Sequence, residues 1–213
     1  MTGSPGPYTA APMPPEQPKK RSKAVDAVIE IVTTVGLAVI LYLVITTFVV
    51  QTFRVEQGSM LNTLQPQEHL LIDKITPRID AYSRGDIIVF HPNGRTDETP
   101  FIKRVIGVEG ELVEIHDGAV WIDGSRLEED EYTFRNRNGI NEPTRPTGQQ
   151  ASWQVGEGEL FVLGDHRRSS QDSRNGGVGL VNVEDVVGRA WLRFFPLDTL
   201  GILEVPTYDV PTS

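Results

Sequence analysis

From Ile31 to Phe53 the chain runs for twenty-three residues without a charged side chain, and the stretch is apolar on every side. A helix packed in a soluble core shows a polar face at helical spacing, and this one does not. As a helix it would extend about 34 Å, enough for a bilayer core of about 30 Å. A cleaved leader has an apolar region of about 7 to 15 residues ending at a small-x-small site. Here the run is longer and ends in FVVQTFRVEQ, so it reads as an uncleaved signal anchor over 24–53. Beyond it the pattern changes to short apolar runs: His69 to Asp73, Asp86 to Phe90, Phe101 to Val108, Glu111 to Ile115, Ala119 to Ile122, Leu160 to Leu163 and Val186 to Leu192. Turn chemistry separates them, and Asp117-Gly118 between two alternating runs predicts a hairpin. Strands following strands without long helical patterns predict an all-β exported domain over 54–213, built of antiparallel sheet. The polar stretch 125–152 reads as a surface excursion, with Glu128-Glu129-Asp130-Glu131 as a solvated face.

Charge gives the anchor a direction. Residues 1–23 carry Lys19, Lys20, Arg21 and Lys23 against Glu16, a net of +3, which leaves -12 for the rest of a chain of net charge -9. The positive-inside rule then puts the N-terminus in the cytoplasm and residues 54–213 outside. So acidic a body offers no footprint for phosphate backbones, and no nucleic-acid partner is expected. The first 18 residues hold six prolines and read as a disordered tail, taken with the cations as 1–23. There is no cysteine. A disulfide framework, a thiolate metal site and a cysteine nucleophile are thereby excluded.

Candidate chemistry narrows by elimination. His69, His91, His116 and His166 lack HxxxH or HExxH spacing and read as scattered surface histidines, so no metal is expected. No phosphate-binding glycine loop is present. Arg84-Gly85-Asp86 opens an apolar run and reads as strand entry. Gly58-Ser59 follows the membrane exit closely, and Gly58 would allow Ser59 to present its hydroxyl beside its own N–H. Most Gly-Ser pairs are simply turns. In the run Phe101 to Ile106, alternation places Lys103 on one face and Arg104 on the other, both among apolar neighbours. A buried arginine stays charged and needs a carboxylate. A buried lysine can instead shed its proton and serve as a base for a serine, although a lysine snorkelling from an edge strand fits the same pattern. Gly164 to Arg174 concentrates acids, bases and hydroxyls after an apolar strand, as a locked loop beside a site would, or a solvated one.

Four segments in order resemble bacterial type I signal peptidases, the leader peptidases of serine type. The family carries G-S-M-x-P-T-L, R-G-D-[IV]-[IV]-V-F, [YF]-[IV]-K-R-V-[IV]-G-x-x-G-[DE] and G-D-N-R-x-x-S-x-D-S-R. This chain has Gly58 to Leu64, Arg84 to Phe90, Phe101 to Glu111 and Gly164 to Arg174. The resemblance implies a membrane-associated all-β domain with a small inserted cap, within about 108–158 here. It implies Ser59 as nucleophile, Lys103 as general base and Ser170 as the hydroxyl that orients the amine. Asp165, Arg167, Asp172 and Arg174 would form a salt-bridged scaffold. Val55, Met60, Leu64, Phe101 and Ile102 would line shallow pockets for small substrate side chains. The Ser59 N–H, with Gln57 where some members keep a serine, would bind the oxyanion. Asn62 stands for the usual proline and His166 for the usual asparagine. The implied function is removal of signal peptides from secretory preproteins after a small-x-small site, outside the membrane, by a single-pass monomer without cofactor. A self-cleaving repressor-type Ser-Lys protease would need a DNA-binding head where residues 1–53 stand. An anchored β-domain that binds exported chains without cutting them is the non-enzymatic alternative.

Overall fold

The computed structural model describes residues 23–76 and 80–208, so the proline-rich tail and its cations at 19–21 lie outside the described residues. The chain divides into two compact units, Met1–Tyr42 and Leu43–Ser213. Helix α1, Lys23–Val44, has no buried residue. It is long and apolar enough to cross a membrane. Thr33 Oγ1 donates back to Ile29 O at 2.9 Å, so that hydroxyl is satisfied within the helix.

The apolar run is not one helix to Phe53. Helix α1 ends at Val44, a π-helical turn covers Ile45–Val49, and Val50–Arg54 forms strand β1. The reason is pairing: β1 lies antiparallel on β2, His69–Asp73, with Val50 opposite Asp73 and Arg54 opposite His69. Val50, Thr52 and Phe53 suit a pleated surface, so the hydrophobicity that reads as membrane helix is here partly strand.

The remaining strands follow the apolar runs closely: β3 Ile87–Phe90, β4 Phe101–Gly107, β5 Leu112–His116, β6 Ala119–Ile122, β7 Ser125–Arg126, β8 Ser152–Gln154, β9 Glu159–Leu163, β10 Val181–Asn182, β11 Val186–Phe195 and β12 Gly201–Ile202. Two antiparallel sheets result. The larger runs β1-β2-β11-β3-β4-β9-β10 with β12 on β11, and the smaller runs β7-β6-β5-β8. The smaller sheet is built from residues 112–154, between β4 and β9 of the larger. Asp117-Gly118 closes the β5–β6 hairpin with positive φ at both residues, 51° and 77°.

Strand β4 carries Lys103 and Arg104 through the interior of the larger sheet. Ile102 to Gly107 are all buried, because β3 flanks the strand on one side and β9 on the other. One core cluster joins Val55, Met60, Leu64, Leu70, Ile72, Ile87, Val89 and Ile102. Another joins Ile88, Phe90, Val105, Leu160 and Val162. The β4–β9 ladder begins at Arg104–Leu163, so Phe101 to Lys103 extend past the end of β9.

Candidate active site

Ser59 lies in a 3-10 turn, Gly58–Met60, that follows β1. Met60 is wholly buried and ties the turn to the core, while the Leu61 N–H closes it on Gly58 O at 3.2 Å. The serine is 4% exposed and Lys103 3%, and Lys103 Nζ stands 2.9 Å from Ser59 Oγ. Nζ also donates to the carbonyl of Ile102 at 2.8 Å, which aims the amine along the strand. The Phe101 ring centroid is 5.2 Å from Nζ. Burial lowers the Lys103 amine from an ordinary 10.5 to about 8, while the more distant Asp172 and Asp165 carboxylates pull it the other way. At that value about one-tenth of the amine is neutral at pH 7, against well under 1% for a free lysine. A neutral amine at this distance can accept the hydroxyl proton. The snorkelling alternative does not hold, since the whole side chain is enclosed.

Arg104 is 1% exposed and keeps its charge by pairing with Asp165, Nε to Oδ1 at 2.9 Å and Nη2 to Oδ2 at 2.8 Å. Burial alone would lower the guanidinium, but the carboxylate outweighs it and holds it above its ordinary value. Thr63 Oγ1 donates to Asp165 at 2.5 Å, so the segment after the nucleophile is fastened to the same pair. In the 164–174 loop, Arg174 and Asp172 form a bidentate pair at 2.8 Å, and Asp172 also accepts from the Gly164 N–H at 3.1 Å. Arg167 reaches away from the loop to Glu129, Nη1 to Oε2 at 2.8 Å. Glu129 is therefore not part of a solvated face: it is 7% exposed and also accepts from Tyr132 at 2.8 Å. Arg84, read as strand entry, likewise carries a buried pair with Glu111.

The other expected site residues divide. Phe101 and Ile102 line a shallow pocket beside Ser59 and Lys103, together with Phe53, Gln57, Thr99 and Pro100. Val55, Met60 and Leu64 do not line it; each is 0% exposed and packed in the core beneath. Ser170 Oγ is buried without a hydrogen-bond partner, so no hydrogen bond joins it to the amine. It does pack tightly at the site, since a Cβ added to Gly164 would fall 2.3 Å from Ser170 Oγ and 2.6 Å from the Ser59 carbonyl. His166 is not a surface histidine: its ring meets Gly58 and Glu142 and lies 4.2 Å from the Phe134 ring. Among the described residues no three His, Asp or Glu side chains gather as a metal site.

The family described as signal peptidase, peptidase S26, matches residues 28–195. The chain belongs to that family. It is 39% identical over 211 residues to a signal peptidase I of Leptolyngbya laminosa, covering 95% of this chain and 96% of that one. A signal peptidase I P of Bacillus subtilis subsp. natto is 33% identical over 182 residues, 85% of this chain and 96% of its own. A crystal structure of a signal peptidase I from Enterococcus faecalis V583 aligns at 35% identity with a TM-score of 0.37, covering 52% of this chain and 97% of that one. The chain is accordingly a serine peptidase of the signal-peptidase family, and its apolar N-terminal helix fits a single-pass membrane anchor.

The departures from the family motif take on physical sense. Asn62 has φ of 93°, a left-handed conformation that asparagine tolerates and that a proline ring cannot adopt. Its amide donates to the Tyr132 carbonyl at 3.2 Å, another tie between the nucleophile segment and residues near 130. Sequence reasoning required a carboxylate for Arg104 without naming one. Only folding shows that Asp165, 61 residues away, supplies it.

Proposed function

We propose that the protein cleaves secretory preproteins after a small-x-small sequence, with Ser59 as nucleophile and Lys103 as general base. The observation that carries this reading is the 2.9 Å approach of a desolvated lysine amine to a buried serine hydroxyl. Neutral Lys103 takes the Ser59 proton as Oγ attacks the scissile carbonyl, and the ammonium so formed protonates the leaving amine. Water activated by the same amine then hydrolyses the acyl-enzyme. The Ser59 N–H, joined by Gln57 at the rim, receives the oxyanion. Phe101 to Lys103, continuing beyond the end of β9, offer an edge on which an extended substrate can add as a strand. Phe101 and Ile102 form the shallow pocket wall that admits only small side chains. Ser170 and the pairs of Asp165, Arg167, Asp172 and Arg174 hold the site in place, and the mechanism needs no cofactor. Lys19, Lys20, Arg21 and Lys23 keep the N-terminus in the cytoplasm, and a monomer working from the cell membrane presents residues 54–213 on the outer face.

The test is cleavage of a purified preprotein by wild type and Ser59→Ala in detergent. Loss of processing in the variant, with the cut in the wild type falling after a small-x-small sequence, is the expected result. Unimpaired processing by the variant would remove Ser59 from the mechanism.

A further inference from the structure

His166 stands where the family usually has asparagine, and it holds the peptide bond from which the nucleophile hangs. Its backbone N–H donates to the Ser59 carbonyl at 3.0 Å, and its ring Nδ1 lies 3.3 Å from the Gly58 carbonyl. A carbonyl oxygen only accepts, so Nδ1 must carry a proton. At the opposite end of the ring, Nε2 faces Glu142 Oε2 at 3.6 Å, and that oxygen is buried without a hydrogen-bond partner. Glu142 therefore seats the far edge of the ring by contact, while the hydrogen-bonding end of the ring is the one at Gly58.

The surroundings enforce this placement. Phe134 and Glu142 face each other across a short hairpin, the Glu142 N–H donating to Phe134 O at 3.0 Å. Phe134 covers the ring while Glu142 meets its edge. Arg145, Arg167, Arg168 and Arg174 line the pocket that Glu142 also lines. Asp165 is committed to Arg104 and Arg167 to Glu129, which leaves Glu142 as the carboxylate facing the ring.

We propose that His166, donating from its backbone N–H to the Ser59 carbonyl and from ring Nδ1 to the Gly58 carbonyl, positions and polarises the Gly58–Ser59 peptide so that the Ser59 N–H becomes a stronger oxyanion donor. This rests on the assignment of Ser59 as nucleophile. The Gly58 carbonyl and the Ser59 N–H are two ends of one amide, and a donor on the oxygen draws electron density from the nitrogen. The 3-10 turn begins at Gly58, so the Ser59 N–H has no partner within the turn and is free to point at substrate. An asparagine at position 166 can place its amide N–H near the position of Nδ1, which keeps a donor on the Gly58 carbonyl. His166 is thus a positioning residue that acts through the backbone.

The test measures kcat and KM on a signal-peptide substrate, and Ki for a peptide aldehyde, at one pH for all variants. The aldehyde forms a tetrahedral adduct with Ser59 and so reports oxyanion binding. His166→Leu is expected to lower kcat about tenfold and raise the aldehyde Ki by a similar factor, with KM within about twofold, a fraction of the 10²–10³ lost with a whole oxyanion donor. His166→Asn, the milder variant, should lose about threefold in kcat. An unchanged kcat in His166→Leu, a lowered kcat with unchanged aldehyde Ki, or no recovery of either in His166→Asn would overturn the proposal. Activity remaining in Ser59→Ala would instead overturn the nucleophile assignment, and this inference with it.

Discussion

Lys103 and Arg104 are consecutive on β4, both almost fully enclosed, and they leave the strand on opposite sides into opposite electrostatic surroundings. On the arginine side a carboxylate meets the guanidinium in bidentate geometry, Thr63 braces the carboxylate, and the Tyr132 ring lies 4.2 Å from the guanidinium carbon. On the lysine side the polar partners are a hydroxyl and a backbone carbonyl, with no carboxylate in contact among the described residues. Burial costs both cations solvation. Where a carboxylate offsets that cost the cation stays charged and serves as a fastener. Where only neutral groups face it, the cost appears as a lowered affinity for the proton, which is what a base near neutral pH requires. Identical burial thus yields scaffold or reactivity according to the partner, and the contrast can be broken from either side.

The largest effect is expected on the lysine side. Lys103→Met should lower kcat/KM by about 10⁴-fold or more, since removing one member of a nucleophile–base unit disables the unit. Lys103→Arg should fail alike, because a guanidinium does not deprotonate. The measurement is single-turnover cleavage, with circular dichroism to verify the fold.

On the arginine side the loss should fall on stability. Arg104→Met leaves Asp165 buried without its cation, and breaking such a pair by removing one partner costs about 3–5 kcal/mol. Urea unfolding of the detergent-solubilised protein measures it. A change under about 1 kcal/mol would show that the pair is not the fastener described.

The same lysine variant sharpens the contrast, because Lys103→Met should be more stable than wild type at pH 7. A shift from 10.5 to about 8 corresponds to at most about 3 kcal/mol of destabilisation by the buried ammonium. The cost is fully present below the folded value, where both states hold the proton. It fades as pH rises from about 8 to 10.5, where the folded chain sheds its proton first. The stability gap between variant and wild type should therefore narrow over that window, and a gap independent of pH would contradict the assignment.

The smallest effect concerns the neighbour that keeps the lysine side dry. Phe101→Asp brings a carboxylate toward the amine in place of the ring 5.2 Å from Nζ, and should move the rising limb of kcat/KM up by about one pH unit. An unchanged limb, with the fold intact, would mean that another group titrates.

Much of the fold is legible in the chain. The β2, β3, β4, β6 and β9 runs are apolar segments between turn residues, and Lys103 and Arg104 announce themselves as cations inside one of them. Strand β1 is hidden because Val, Thr and Phe serve lipid and sheet equally well, so only its pairing with β2 separates the two. Short β7, β10 and β12 bury too little to leave a periodic mark. Glu129 is obscured by flanking acids: Glu128 and Glu131 are exposed while Glu129 pairs with Arg167. His166 carries no spacing signal, because its partners Gly58 and Glu142 come from distant segments. What the local pattern cannot carry is long-range pairing, and in this protein that decides which buried charge is silent.

Titration of the Lys103 amine itself tests the lysine-base assignment most directly, by NMR of protein labelled with ¹³C at the lysine ε-carbon and assigned with Lys103→Met. The Lys103 resonance should titrate near pH 8, well below the 10.4 of a lysine in a model peptide. A Lys103 resonance titrating at the model-peptide value of about 10.4 would contradict the assignment, since the amine beside Ser59 would then be an ammonium at the pH of catalysis.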